Sequence, residues 1–379
     1  MKTQALLCRV GRGLVAASLL VASCASAGAQ SLAGHIPTNI RGISVVEPPP
    51  AAFDPVMATT MMNMRFALPP APDRVAAPHA HRAWRHAIMA AQNRERPVLT
   101  STNIFHGPIK GKKPSSAHRS ESARESAHLR TVENDIVGAS SGNWSGTSVV
   151  NGTTSEVEAI IGLFVVPTAH HAFGSCSDDW VYSSLWPGID GNDGAGANDV
   201  LQAGVEVDAY CIGGTTSDYY SAWIEWYPNA STRVSSPAVH PGDLVFVEVW
   251  STSPTQGYAY FYNYSTNVTA EYALTAPNGN TVHGSSLEWV VERPSLGTTL
   301  TNLTNYISSP WSEGVGWNYG AESPTYYYMG DNPTFGTLEQ ITMYDNNGDA
   351  ISAATIENFN FLWFQNFGSA CGLANAPPC

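Results

Sequence analysis

Val200-Leu201-Gln202-Ala203-Gly204-Val205-Glu206-Val207-Asp208 alternates from Leu201 onward between apolar and polar or small residues. A strand sends successive side chains to opposite faces, so Leu201, Ala203, Val205 and Val207 face a core while Gln202, Glu206 and Asp208 share the other side. Ala222-Trp223-Ile224-Glu225-Trp226-Tyr227-Pro228 repeats the pattern, with Trp223, Glu225 and Tyr227 opposite Ile224 and Trp226. In Leu287-Glu288-Trp289-Val290-Val291-Glu292-Arg293-Pro294, Glu288 and Glu292 share a face, and Tyr258, Tyr260, Tyr262 and Tyr264 make another one-sided row. From about Gly138 such runs are separated by Gly, Pro, Asn and Asp turns, with no sustained helical period. The expected fold is all-β, a two-sheet antiparallel β-sandwich of the jelly-roll or concanavalin-like kind. Asp345-Asn346-Asn347-Gly348-Asp349 could supply oxygen ligands to calcium, but Asn-Gly between strands reads as a hairpin turn. One polar face is ordinarily the wet side of a sheet. Carboxylates and an amide interleaved with large aromatics look more like a binding groove.

The charge is distributed unevenly around this domain. The chain has 379 residues and a formal net charge of -13, and its 11 Trp and 16 Tyr supply a large core. Residues 1–137 hold 16 of the 18 Lys and Arg against 8 of the 31 acids. Residues 138–379 keep only Arg233 and Arg293 against 23 acids, a net charge of -21. A polyanion of this kind excludes nucleic acid and anionic membrane surfaces as partners, since both need Lys and Arg. A halophile's surface would be crowded with carboxylates. Here they are spread thinly and cations are nearly absent, which suits a protein built for acid, where carboxyls lose their charge.

Residues 1–29 read as a secretory leader: Lys2, Arg9 and Arg12, then an apolar Leu14–Ser23, then Ala25-Ser26-Ala27 or Ala27-Gly28-Ala29 as cleavage site. The apolar run is too short to span a bilayer, so a secreted protein with no membrane attachment after leader removal is expected. Val21-Ala22-Ser23-Cys24 offers lipid anchoring at Cys24 as the minor alternative. Four cysteines remain, Cys176, Cys211, Cys371 and Cys379, and an even number in an exported chain suggests two disulfides. Of three possible pairings, Cys176–Cys211 with Cys371–Cys379 is expected. Residues 30–137 read as a basic, largely irregular propeptide and linker, broken by Pro48-Pro49-Pro50 and Pro69-Pro70. Within it Ala77–Arg96 predicts a basic helix with Trp84, Ile88 and Ala91 on one stripe. Residues 138–379 form the domain this segment covers, held in part by opposite charge.

Much chemistry is missing from the sequence. There is no His-Glu-x-x-His, no Gly-x-Ser-x-Gly, no Asp-Thr/Ser-Gly pair, no Walker loop and no compact Cys/His spacing. No metal or other cofactor is expected. The domain's histidines, His170, His171, His240 and His283, would be protonated in acid and useless there as bases.

One set of motifs is specific. Asn143-Trp144-Ser145-Gly146, Val165-Val166-Pro167, Trp186-Pro187-Gly188-Ile189-Asp190-Gly191, Leu201-Gln202-Ala203-Gly204, Ala222–Pro228 and Glu288-Trp289-Val290-Val291-Glu292 follow in order. In order and spacing they resemble the glutamic peptidases (eqolisins), acid-acting secreted prepro-endopeptidases with a β-sandwich fold. The resemblance is strong over residues 141–295. It implies Gln202 and Glu292 as the catalytic pair, with Trp186, Asp190, Glu206, Trp223 and Glu225 lining or supporting the site. Glu206 stands where the best-known fungal members have Asp, and Arg293-Pro294 replaces an acidic-aromatic pair. Alternation points Arg293 away from Glu292. In such a dyad Glu292 takes a proton from the attacking water and passes it to the leaving nitrogen, while the Gln202 amide donates to the oxyanion. The implied partners are protein or peptide substrates and the chain's own propeptide, in a monomeric zymogen that cuts itself in acid between about Gly111 and Ser140. The competing class is a secreted β-sandwich glycoside hydrolase or lectin, with Glu225 and Glu292, or Glu288 and Glu292, as an acid/base pair. Asn143, Asn151, Asn229, Asn263 and Asn302 are glycosylation sequons.

Overall fold

The structure, a computed structural model, describes residues 34–108, 136–150, 158–171, 178–192, 198–331 and 336–367. The leader, most of the linker and Cys176, Cys371 and Cys379 lie outside the described residues. Cys211 is disulfide-bonded.

Alternating runs become antiparallel strands arranged in two layers. The first layer runs Thr232–Val234, Thr215–Tyr227, Val200–Ile212, Ser184–Ile189, Ser286–Glu292, Trp144–Val150 and Thr337–Tyr344. The second runs Val268–Thr275, Gln256–Asn263, Leu244–Ser253, Ala159–Val165, Ser308–Trp317 and Phe361–Asn366. Ala350–Asn358 pairs with Thr337–Tyr344 and with Phe361–Asn366, so one edge is closed. The core lies between the layers and takes the apolar side of each alternation: Leu201, Ala203, Val205, Ile224, Trp226, Val245, Val247, Phe261, Leu287, Trp289 and Val291. The Trp289 indole N–H crosses the gap to the Ile161 carbonyl at 2.8 Å, so this ring is buried without stranding its donor. The loop at 345–349 is a turn, as expected. Asp345 Oδ1 accepts from the N–H groups of Asn347 and Asp349, and Gly348 takes φ 89°, which a residue without Cβ adopts freely.

Residues 34–108 differ from the expected largely irregular propeptide. They form a strap that grips both layers. Ile43–Val46 adds a strand to Val268–Thr275, and Leu99–Ser101 adds one to Thr232–Val234. Between these strands lies a helix, Pro78–Met89. Proline at its first turn gives up a donor that has no partner there anyway. Ala80, Ala83, Trp84, Ala87 and Ile88 recur at helical spacing and are buried. They sit on the outer face of the second layer against Tyr258, Tyr260 and Tyr262. The tyrosine row is therefore the seat of this helix: Tyr260 Oη donates to Ala87 O at 3.0 Å and Tyr264 Oη to Ala83 O at 3.4 Å. Composition suggested a largely irregular propeptide because proline-rich stretches mask the short elements between them.

Candidate active site

The outer face of the first layer carries the polar side of each alternating strand. Gln202, Glu206, Trp186, Trp223, Glu225 and Glu292 all lie here, each almost completely buried. Gln202 is opposite Gly188 on the central strand and Glu292 is opposite Ser184, so the two are four residues apart along the strand direction. Trp186 spans that interval. Its ring lies over Gly188, where a Cβ would meet Trp186 Cζ3 at 2.8 Å and Gln202 Cβ at 3.2 Å. Its indole N–H donates to Glu292 Oε2 at 2.9 Å. The other oxygen, Oε1, accepts from Asn143 Nδ2 at 2.9 Å. Among the described residues no arginine pairs with Glu292: Arg293 points away, as alternation requires, and donates to the carbonyls of Gly142 and Tyr344.

Burial dominates the electrostatics. It raises Glu292 well above the usual carboxyl range, and the hydrogen bonds to the carboxylate only partly offset it. Burial pushes Glu225 up to about 8 against the lowering pull of His106. Glu206 and Asp208 are neighbours on one strand face and both are raised, burial being the largest cause. Glu288 shares the row of Gln202, accepts from Ser148 Oγ at 3.1 Å and is likewise raised by burial. Asp190 lies beyond the groove floor, at φ 70°, a conformation aspartate tolerates better than most residues. Its carboxylate takes the backbone N–H groups of His283, Gly284 and Ser285 and the Ser285 hydroxyl. It thereby holds that loop in place.

The groove is filled by the chain's own strap. Ile104–Phe105 pairs with Ser295–Leu296 as a short strand, and His106 follows with no exposed surface. The Gln202 amide N–H donates to His106 O, while Gln202 Oε1 has no hydrogen-bond partner among the described residues. Gly107 O accepts from Asn143 Nδ2 at 2.7 Å, the same amide that holds Glu292. One dipeptide, His106–Gly107, thus touches Gln202 directly and reaches Glu292 through Asn143. Sequence reasoning missed His106 altogether and noted Asn143 only as a motif residue and sequon. Asn143 is buried, so a glycan there is incompatible with this fold, whereas Asn229 and Asn302 are exposed. Among the described residues no group of three His, Cys, Asp or Glu is placed to hold a metal ion, and no helix is long and apolar enough to cross a membrane.

The residues that make this face lie inside a segment, 142–316, that matches the sequence model of the Peptidase A4 family. Residues 142–316 belong to the Peptidase A4 family. The match reaches past the motifs, which end at Glu292, into the strand Ser308–Trp317. Scytalidopepsin B of Scytalidium lignicola is 27% identical over 150 residues, which is 40% of this chain and 51% of that protein. The chain thus spans about half the length of the curated relative it matches. Among solved structures, a scytalido-glutamic peptidase with a transition state analog inhibitor is 19% identical with TM-score 0.47, covering 59% of this chain and 98% of its own. Aspergilloglutamic peptidase from Aspergillus niger is 23% identical with TM-score 0.39, covering 49% of this chain and 99% of its own.

Proposed function

We propose that this Peptidase A4 chain is a secreted endopeptidase that works in acid, with Glu292 as general base and acid and Gln202 as oxyanion donor, made as an acid-activated zymogen. The observation that carries this reading is the extended peptide in the groove, with a carbonyl on the Gln202 amide and the next carbonyl on the amide that holds Glu292. A water accepted by Gln202 Oε1 and deprotonated by Glu292 would attack the first carbonyl, and Glu292 would then protonate the leaving nitrogen. The amide dipole stabilises the oxyanion without titrating. Covering the groove produces latency in two ways. It excludes substrate, and by burial it keeps the proton on Glu292, which is then no base.

The glycosidase reading is disfavoured by what fills the groove. Glu206 and Glu225 both turn to one imidazole, and strand pairing on either side suits a polypeptide rather than a sugar. The test is casein digestion from pH 3 to pH 7 by wild type and by Glu292→Gln after acid treatment. Acid proteolysis by wild type alone is the expected result. Equal turnover by folded Glu292→Gln protein would refute the dyad.

A further inference from the structure

The His106 side chain occupies a pocket that the dyad chemistry does not require. Its ring stacks on Trp223, centroids 3.7 Å and planes 10° apart. Nδ1 meets Glu225 Oε2 at 2.8 Å and Nε2 meets Glu206 Oε1 at 2.6 Å. The His106 backbone N–H also reaches the Glu225 carboxyl, at 3.1 Å and 3.2 Å. Trp223 and Glu225 come from one strand and Glu206 from its neighbour, so the pocket is built on rigid, paired backbone.

The shape and polarity of this pocket discriminate among side chains. An imidazolium donates from both ring nitrogens, which matches two carboxyls on opposite edges of a flat slot. Phenylalanine would fill the stack but take the ring-nitrogen partner away from each buried carboxyl, and that is costly. Lysine has no ring and places its charge at a single point. A free histidine becomes cationic below about pH 6.5, which is where an acid-acting enzyme would meet it. The register of the backbone is fixed as well. His106 O is on Gln202, and Gly107 passes so close to Tyr227 that a Cβ would lie 2.3 Å from Cε2. Side chain, carbonyl and following residue are thus each located relative to the catalytic pair.

We propose that Trp223, Glu206 and Glu225 form the substrate pocket for a histidine side chain on the residue whose carbonyl meets Gln202, and that His106 fills it in the uncleaved chain. The proposal rests on the peptidase reading above. In the cleavage it implies, the water oxygen bonds to the histidine carbonyl carbon and the C–N bond to the next residue breaks. Glu292 carries one water proton to the released nitrogen, leaving a C-terminal histidine and a free amine.

The test uses acid-treated full-length protein and peptides carrying Ile-Phe-X-Gly, with X as His, Phe, Lys or Ala, and mass spectrometry to locate the cut. Cleavage after X is expected, with kcat/KM for His at least about tenfold above Phe, carried mainly by KM, since a site built for polar groups rejects analogues lacking them. Glu225→Gln should lower the His:Phe ratio toward one. A decapeptide copying residues 99–108 should inhibit at least about tenfold more tightly than its copy with alanine at the histidine, which needs no folded variant. Casein digestion with equal kcat/KM for the His and Phe peptides, or cuts elsewhere in them, would overturn the pocket and leave the peptidase standing. Failure to cut casein at any pH would overturn both.

Discussion

Glu271→Gln should make the protein less sensitive to neutral pH. Glu271 lies on the strand Val268–Thr275 beneath the helix Pro78–Met89, wholly buried, with Arg94 Nη2 at 2.6 Å from Oε2. Two strands away, across Tyr260, is Glu248, whose oxygens have no partner among the described residues. Burial pushes Glu271 up from 4.5 to about 8, more than Arg94 pulls it down. The sign follows from proton linkage. The folded chain keeps a proton that the unfolded chain loses above pH 4.5, so this contribution to stability is complete below pH 4.5 and fades as pH rises toward 8. Each pH unit in that window costs about 1.4 kcal/mol, hence up to about 3 kcal/mol between pH 4.5 and pH 7. Glutamine cannot ionise. Urea unfolding at pH 4 and pH 7 should therefore show the variant gaining on wild type by up to about 3 kcal/mol over that interval, whatever their difference at pH 4. A constant difference between the two pH values, or a wild type more stable at pH 7 than at pH 4, would refute the reasoning.

Gln202→Ala should keep its fold by circular dichroism and lose roughly 10²–10³ in casein turnover at pH 3–4, the usual effect of removing one oxyanion donor. EDTA, serine reagents and thiol reagents should leave that turnover unchanged. Activity lost in EDTA and restored by a metal would contradict a dyad of Glu and Gln alone. Asp190→Ala removes the carboxylate that accepts from the buried N–H groups of Ser285 and Gly284 and should destabilise the domain by about 1–3 kcal/mol, read by urea unfolding. Near-equal midpoints would mean that the loop finds other partners.

The parts legible in the sequence were those encoded by period. Alternation put Gln202, Glu206, Glu225 and Glu292 on one face, and the structure keeps them there because a one-residue slip would have buried them in the core. Alternation cannot say which strands become neighbours. The four-residue offset of Gln202 from Glu292, and the role of Trp186 in spanning it, come from register between strands distant in sequence. The tyrosine row shows the same gap: its one-sidedness was legible, while its partner, a helix more than 170 residues earlier, was not. His106 carried no local signal, since a histidine near Gly-Pro in a polar stretch looks like loop. Its place follows from the two short strand pairings at Leu99–Ser101 and Ile104–Phe105, each too brief to read from pattern.

Those pairings also change how the proposed latency would end. Counting charges as though all were in water, a basic segment over a domain of -21 should be released when acid neutralises the carboxyls. Among the carboxyls that meet the segment, Glu206, Glu225 and Glu271 already hold their protons more tightly than free glutamates, with burial the largest cause. Opening would return them to water and lower their affinity for protons, so protonation does not by itself release the strap, and activation in acid has to come from cleavage. Release then depends on breaking the chain, and a single cut between about Gly111 and Ser140 would not suffice. It would leave Ile43–Val46, Leu99–Ser101, the Trp84 helix and His106 in place, all held by strand pairing and apolar burial rather than by charge alone. A protein nicked there by a trace of added protease should keep residues 34–108 bound through size exclusion at pH 4. It should stay inactive until a second cut falls near His106. Prompt loss of the fragment at pH 4 with full activity would show that charge, after all, holds the strap.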